Sequence, residues 1–396
     1  MSSERLGILW QPSGVTGWGL YGLHLLLNLE LKGRIEPCLL IGSSRLAVPP
    51  LASLRFRAIE ERSQGWIAQM KALEAGGRLD LPMTVLHGLG EELTPPYPDR
   101  EIRGRRNIGV IFFVDPALGP EARERGKALD AVVAGSTWNA VLLESAGIPN
   151  VRLVIQGIDT SIFHVAPRQN LFPGRFVIFS GGKLEFRKGQ DIAIAAFKIF
   201  RARHPEALLL ANWYNAWPKI TGTMALSPHE PSAPQLVEGR PDIAGWLHAQ
   251  GLPGDSAVLL DDLPNMMMGS VLREADAALF PNRCEPGTNL VAMEAMACGV
   301  PTILSANTGH LDVIDESCLY PLREQRRVRD VPFHRSTEGW GESSVDEAVE
   351  ALERIYANRS EAAARALKAA SWMRSFSWPH QIDCLIESLN PSSVAG

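Results

Sequence analysis

The sequence predicts an α/β chain built from two doubly wound halves. Three observations predict it. A length of 396 residues is too great for one ordinary core; short apolar runs alternate with longer amphipathic stretches; and each half repeats a strand, a glycine-rich turn and a helix. Apolar runs bounded by turn residues and separated by helices read as a parallel sheet.

The elements follow in order. Arg5–Trp10 reads as a strand, 11–19 as a Gly/Ser/Pro loop and Leu20–Leu31 as a helix. Ile35–Ile41 is a second strand, with a helix within 51–73. Met83–Leu86, Ile108–Val114, Ala131–Ala134 and Val151–Ile155 are further buried strands. Over 159–174 the pattern lapses into a polar, proline-containing segment, which reads as a linker. The second series has strands at Phe176–Phe179, Ala207–Ala211, Val258–Leu260, Ala277–Phe280 and Thr302–Leu304. Its helices are Gln190–Arg203, Met266–Glu274 and a short one near 290–297. The segment 345–389 is helix upon helix, with Trp378-Pro379 as a break. Trp213–Gly245, with five prolines and no period, is either an ordered insertion or a flap.

Composition narrows the function classes. Hydrophobic content of 45% and charged content of 21% are those of an ordinary globular protein. The net charge of −5 argues against a nucleic-acid partner. Residues 1–170 carry +1 and the remainder −6, so neither half dictates a partner by charge. The five cysteines are odd in number and form no CxxC pair, which suits a reducing compartment. No apolar run reaches the ~18 residues of a membrane span, and MSSERLGILW lacks a signal-peptide core. A cytoplasmic protein is expected.

Two turns and one helix entrance carry the chemistry. PSGVTGWG, with Gly14, Gly17 and Trp18, and SGGKLEFRKGQD, with Lys183, Arg187 and Lys188, each follow a strand and precede a helix. That position is the carboxyl edge of a doubly wound sheet, where ligands bind. Glycines let the backbone approach an anion, and helix N-termini supply amide donors. The first turn is open to a purely geometric reading. The three cations of the second suit a diphosphate, or a solvated cluster paired with Glu185. In CEPGTNLVAMEAMACGVPTIL, Thr288 or Asn289 caps a helix from Leu290 to Ala297, which Gly299 and Pro301 end. Glu285 precedes the turn. Glu294 sits among Met, Ala and Val, where a carboxylate needs a specific partner; a sugar hydroxyl is a good one.

These residues resemble the retaining glycosyltransferases of the GT-B fold, glycosyltransferase group 1 or family 4. EPGTNLVAMEAMACGVPTI is similar to the family's Glu-x7-Glu region, and GGKLEFRKGQD to its diphosphate turn. VIQGIDTSIF, from Val154 to Phe163, resembles the interdomain motif, and Ala131–Ile148 the last helix of the N-terminal domain. FSWP, from Phe376 to Pro379, resembles the start of the tail helix. The resemblance implies two Rossmann-like domains with a cleft between them: an acceptor domain over 1–165, a nucleotide-sugar domain over 166–375, and a helix over 376–396 packing back on the first. The sequence departs from the family in three places. Eight residues, not seven, separate Glu285 from Glu294; Lys183 stands where arginine is usual; and Ala211-Asn212-Trp213-Tyr214 replaces a glycine-rich strand end.

The resemblance implies a metal-independent sugar transfer with retention, by front-face attack and without a protein nucleophile. The nucleotide-diphosphate sugar is a co-substrate, and no cofactor is expected. Glu294 matches the ribose-binding acid, Lys188 the diphosphate lysine, and Glu285 the acid that contacts the donor sugar. Lys183 joins Lys188 and Glu285 in the catalytic set, the two cations aimed at the diphosphate, and Arg187, Gly14, Gly17, Gly287, Thr288, Asn289 and Leu290 are further donor contacts. The acceptor, whether a glycan, a lipid-linked or a small molecule, falls to the first domain. His87 and Asp115, at strand ends, are catalytic candidates there, each with a packing or capping alternative. Trp18 is the candidate to stack on an acceptor ring. His310 and Asp312 lack a third ligand, so no metal is expected. The basic clusters 100–106 and 323–329 suggest either peripheral contact with acidic lipid or solvated loops. Two alternatives compete: a GT-B nucleotide-sugar epimerase, and a noncatalytic sugar-nucleotide-binding protein.

Overall fold

The computed structural model describes residues 4–213 and 215–389. The ends of the chain expected at 1–3 and 390–396, and Tyr214, lie outside them. The chain divides into two compact units: residues 1–157, 264–266 and 376–396, and residues 158–263 and 267–375.

The N-terminal unit is built on a six-stranded parallel sheet. Its strands are β1 (Glu4–Leu9), β2 (Ile35–Leu39), β3 (Thr84–Leu89), β4 (Arg106–Ile111), β5 (Ala131–Ala134) and β6 (Val151–Leu153), in the order β2-β1-β3-β4-β5-β6. Helix α1 (Gly17–Lys32) leaves the first glycine turn under a Thr16 cap, whose side chain accepts from the Gly19 amide at 3.1 Å. One expected helix is two, α2 (Pro50–Arg62) and α3 (Gln64–Ala72), split at buried Ser63, whose hydroxyl accepts from the Leu39 amide. Helices α4 (Pro120–Lys127) and α5 (Thr137–Ser145) complete the sheet's connections.

The tail helix α12 (Trp378–Leu389) belongs to this unit. Trp378-Pro379 starts it rather than breaking a longer helix, because proline suits the first turn, where its missing N–H costs nothing. Trp378 stacks on Tyr21 and His24 of α1, at centroid distances of 5.6 and 5.0 Å. Gly157 explains its place in the VIQGIDTSIF run: a Cβ there would lie 2.6 Å from the Trp378 Cα. Lys32 pairs with Asp383, and Arg106 and Arg152 donate to the carbonyls of Leu389 and Ser388.

The C-terminal unit has its own six-stranded parallel sheet. It consists of β7 (Phe176–Gly181), β8 (Ala207–Asn212), β9 (Ala257–Leu259), β10 (Ala277–Phe280), β11 (Thr302–Ser305) and β12 (Tyr320–Leu322), ordered β9-β8-β7-β10-β11-β12. The order reverses between β7 and β10. In a doubly wound sheet that reversal opens a crevice at the strands' carboxyl ends. Around the sheet lie α6 (Gln190–Arg203), α7 (Ile243–Ala249), α8 (Asn265–Arg273), α9 (Leu290–Ala297), α10 (Val345–Ala357) and α11 (Arg359–Met373). Phe176, Ile178, Phe197, Phe200, Leu209 and Leu279 are core residues, each at most 1% exposed.

The described part of the proline-rich segment is ordered. It forms a 3-10 helix over Pro218–Leu226, a two-stranded hairpin over 236–241 and then α7. It is tied to the second glycine turn: Asn215 donates to the Leu184 carbonyl, the Phe186 amide to Thr223, and Ser227 to Asp191. Among the described residues no helix is long and apolar enough to cross a membrane.

Candidate active site

Three loops at the carboxyl edge of the second sheet build the site. Residues 182–189 leave β7, 281–289 leave β10 and 306–310 leave β11. The structure brings Lys188, Arg187 and Glu285 together where the strand order reverses. Lys188 Nζ donates to Glu285 Oε1, and Arg187 Nη1 reaches the same oxygen at 3.2 Å. Asn282 Nδ2 donates to it as well, and the Glu285 amide donates to Thr308 Oγ1 at 2.8 Å. Arg187 also donates to the Cys284 carbonyl at 2.6 Å and to Glu185 at 2.5 Å. Lys183 is partly exposed, 3.4 Å from Glu185 and 5.3 Å from the centroid of Trp217.

Burial and charge oppose each other at Glu285. Burial raises its pKa, but the charges of Lys188 and Arg187 outweigh burial and bring it down to about 2. Burial lowers the Lys188 pKa and the neighbouring Arg187 adds to that, while Glu285 counters both.

Between the two acids the chain makes a turn over 286–289 and then enters α9 at Leu290. Asn289 takes the left-handed conformation, φ 63°, which asparagine tolerates better than most residues. Its side chain caps α9 by accepting from the Ala292 amide at 3.4 Å. The amides of Gly287, Thr288, Asn289 and Leu290 donate to no backbone carbonyl among the described residues. The Thr288 hydroxyl is turned to Met293 Sδ, 3.0 Å away. Glu294, on α9, is 4% exposed.

Behind these loops runs a buried ionic chain. Arg283 and Asp191, both fully buried, form a two-pronged pair at 2.8 and 2.7 Å. Arg283 also donates to Glu342 at 3.0 Å and to the Phe186 carbonyl at 2.7 Å, and lies over the Phe186 ring. His229 closes the chain on Glu342 at 3.2 Å.

Sequence reasoning missed Arg283, Asn282 and Thr308, and weighed His310 only as a metal ligand. The available signal for Thr308 and His310 was the run Asn307-Thr308-Gly309-His310, one residue beyond β11, a polar and glycine-bearing segment at a carboxyl strand end.

The N-terminal candidates sit within their own unit. Gly14 approaches Ala47 so closely that a Cβ would lie 2.4 Å from its carbonyl oxygen, and its amide donates to the Arg45 carbonyl. Gly17 is the exposed first residue of α1. Trp18 packs edge-on against Trp10 and Phe112, at 5.5 and 5.1 Å. His87 does not follow its strand but lies inside β3: pairing with β1 ends at His87, and pairing with β4 carries the strand on to Leu89. Its Nε2 is 3.1 Å from Asn107 Oδ1, and burial lowers its pKa. Asp115 lies beyond the end of β4 and accepts from the Ala117 amide at 3.0 Å; the cap of α4 is Gly119. The basic clusters are paired in part, Arg100 with Asp99, Arg103 with Glu101 and Arg323 with Glu316.

Acid should unfold the protein through this site. Glu285 has a folded pKa of about 2 against an ordinary 4.5, and burial brings His310 to about 4 from 6.5. Both folded values are depressed, so the unfolded chain binds more protons and stability falls as pH drops. The His310 contribution is lost from 6.5 down to 4, and the Glu285 contribution from 4.5 down to 2. Each amounts to about 3 kcal/mol. Urea midpoints at pH 7.5, 5.5 and 4 should fall in that order; a midpoint constant across the series would refute this account.

A model of the family described as "Family 4 Glycosyltransferase in conflict systems" matches residues 265–385. The D-inositol 3-phosphate glycosyltransferase of Rhodococcus jostii is 27% identical over 290 residues, 69% of this chain and 56% of that protein. The chain thus spans about half the length of the curated relatives it matches. Among solved structures, sucrose-phosphate synthase from Thermosynechococcus elongatus superposes with a TM-score of 0.66 at 15% identity, covering 99% of this chain and 100% of that one. A trehalose-6-phosphate structure from E. coli, bound with UDP-2-fluoro glucose, gives 0.65 at 12% identity, covering 98% and 99%. The fold is that of the GT-B glycosyltransferases.

Proposed function

We propose that this chain, a GT-B member of glycosyltransferase family 4, binds a nucleotide-diphosphate sugar in its C-terminal unit and transfers the sugar to an acceptor. The observation that carries the reading is the meeting of Lys188, Arg187 and Glu285 at the crevice between β7 and β10. As the sugar bond breaks, negative charge grows on the departing diphosphate. Cations fixed in advance in a poorly hydrated site stabilise that charge. Lys188 and Lys183 are the diphosphate partners in this reading, with Arg187 beside them. Glu285 opposes the effect of burial on Lys188 and, in this reading, lies on the donor-sugar side. The amides from Gly287 to Leu290 add the partial positive charge of a helix entrance. Glu294 takes the ribose hydroxyls. The Gly14–Gly17 turn adds donor contacts, Trp18, His87 and Asp115 serve the acceptor from the N-terminal unit, and the anomeric configuration is retained. A relative acts on inositol 3-phosphate by name, and a structural neighbour holds a UDP-sugar analogue. Both fit a small hydroxylated acceptor and a nucleotide-sugar donor.

A thermal-shift panel of UDP-, GDP- and ADP-sugars tests the reading. A ligand present at a hundred times its Kd stabilises the folded state by about 2.7 kcal/mol. One of the three classes is therefore expected to raise Tm by several degrees. If none of them does, the donor site proposed here is wrong.

A further inference from the structure

The run leaving β11 forms a hydrogen-bonded cradle beneath the turn that leads into α9. Thr308 Oγ1 accepts from the Glu285 amide at 2.8 Å, and the Gly309 amide donates to the Glu285 carbonyl at 3.0 Å. Gly309 has no room for a side chain: a Cβ would lie 2.0 Å from the Gly287 carbonyl oxygen. Asn307 Nδ2 donates to the Asn282 carbonyl at 2.9 Å. His310, wholly buried, closes the cradle. Its Nδ1 is 3.0 Å from the Ser305 carbonyl, which can only accept, so Nδ1 carries the proton. Nε2 is then an acceptor, and it receives Asn289 Nδ2 at 3.2 Å.

The protonation pattern has a consequence for the turn. With Nδ2 donating to His310, Asn289 presents Oδ1 to the Ala292 amide and caps α9. The same residue carries a left-handed backbone, φ 63°, at the entrance to the helix. The orientation of one buried amide therefore sets the path of the chain from Gly287 to Leu290. Burial is the largest influence on His310 and keeps it neutral, the state this arrangement requires.

We propose that His310 is a positioning residue for the donor: through Asn289 it fixes the Gly287–Leu290 helix entrance in the geometry that receives the diphosphate. The inference rests on the donor reading above. His310 touches no substrate; it acts by holding Asn289.

Two near-isosteric variants separate the ring's two contacts. His310→Asn keeps a group at the Nδ1 position for Ser305 but leaves Asn289 without its acceptor. His310→Gln places an amide at the Nε2 position, where its oxygen can accept from Asn289. The readouts are Kd for UDP, GDP and ADP by calorimetry, together with Tm. Whichever nucleotide binds the wild type is expected to bind His310→Asn at least tenfold more weakly and His310→Gln within threefold, with similar Tm for both variants. Asn289→Gly, which keeps φ 63° without strain but removes the amide, should match His310→Asn, and the double variant should be no weaker than either. It also serves if His310→Asn does not fold. Wild-type affinity in His310→Asn or Asn289→Gly, or equal loss in the Asn and Gln variants, would overturn the proposal. Lys188→Ala separates the two levels. If it binds nucleotide as the wild type does, the donor reading itself fails; if it alone loses binding, only the role of His310 fails.

Discussion

Lys188→Ala is expected to lower nucleotide-diphosphate affinity by about a hundredfold and sugar turnover by about a thousandfold, while leaving a folded protein. The turnover figure follows from removing one preorganised charge aimed at the leaving group, which typically costs 10²–10³ in rate, together with the weaker ground-state contact. Folding should survive because Glu285 keeps two other partners, Arg187 at 3.2 Å and Asn282. Stripping a buried carboxylate of every partner costs about 3–5 kcal/mol, so with partners left the loss should be smaller. The arginine cannot replace the lysine in function, since its guanidinium is already committed to Glu185 and to the Cys284 carbonyl. Lys183→Ala should be milder, about tenfold in affinity, because that side chain is partly exposed and its charge is screened by water. Calorimetry for the nucleotide, donor turnover and Tm on the same preparations decide the matter. Equal turnover by the wild type and a folded Lys188→Ala protein would remove the basis of the proposed chemistry.

Local signals made much of this site legible in the sequence. Helix α9 begins and ends where the sequence predicts, Leu290 to Ala297, because an asparagine cap and a Gly-Val-Pro stop bracket it. Helix α6 is likewise Gln190–Arg203, set by a glycine before it and an apolar stripe along it. The glycine turn with its lysines was readable because spacing and charge are properties of a short window. Arg283 was not. It stands in a loop-like stretch, and its partner Asp191 lies 92 residues earlier, so nothing near it announces a buried ion pair. His310 looked like an incomplete metal ligand because its partners, Asn289 and Ser305, come from a turn and a strand end that only the fold brings together. The segment after Trp213 showed no period for another reason. Its elements are a 3-10 helix and a hairpin whose two strands are two residues each, too short for a repeat, and side-chain bonds to the backbone of the second glycine turn help hold it in place.

Arg283→Leu is expected to be the most damaging single substitution in the C-terminal unit. The guanidinium is fully buried and makes two bonds to Asp191, one to Glu342 and one to the Phe186 carbonyl. Burial opposes the charge on both members of the pair, and each is held ionised by the other. Removing the arginine alone leaves Asp191 buried with Ser227 as its one side-chain donor among the described residues, a loss of about 3–5 kcal/mol. It also removes one of the bonds that tie the Phe186 turn to the loop carrying Glu285, so donor affinity should fall with stability. Asp191→Asn should cost less, since the amide keeps the shape and one acceptor. The double variant Arg283→Leu/Asp191→Leu decides whether charge or packing is at stake. A buried ion pair replaced by apolar groups of similar size is often close to neutral, so the double variant should recover much of the stability lost by the single one. Donor affinity should not recover, because the link from residue 283 to the Phe186 carbonyl is still missing. Urea unfolding and nucleotide calorimetry on the three proteins separate these outcomes. A double variant as unstable as Arg283→Leu would mean that the arginine acts through its packing and its bond to the Phe186 carbonyl rather than through its charge.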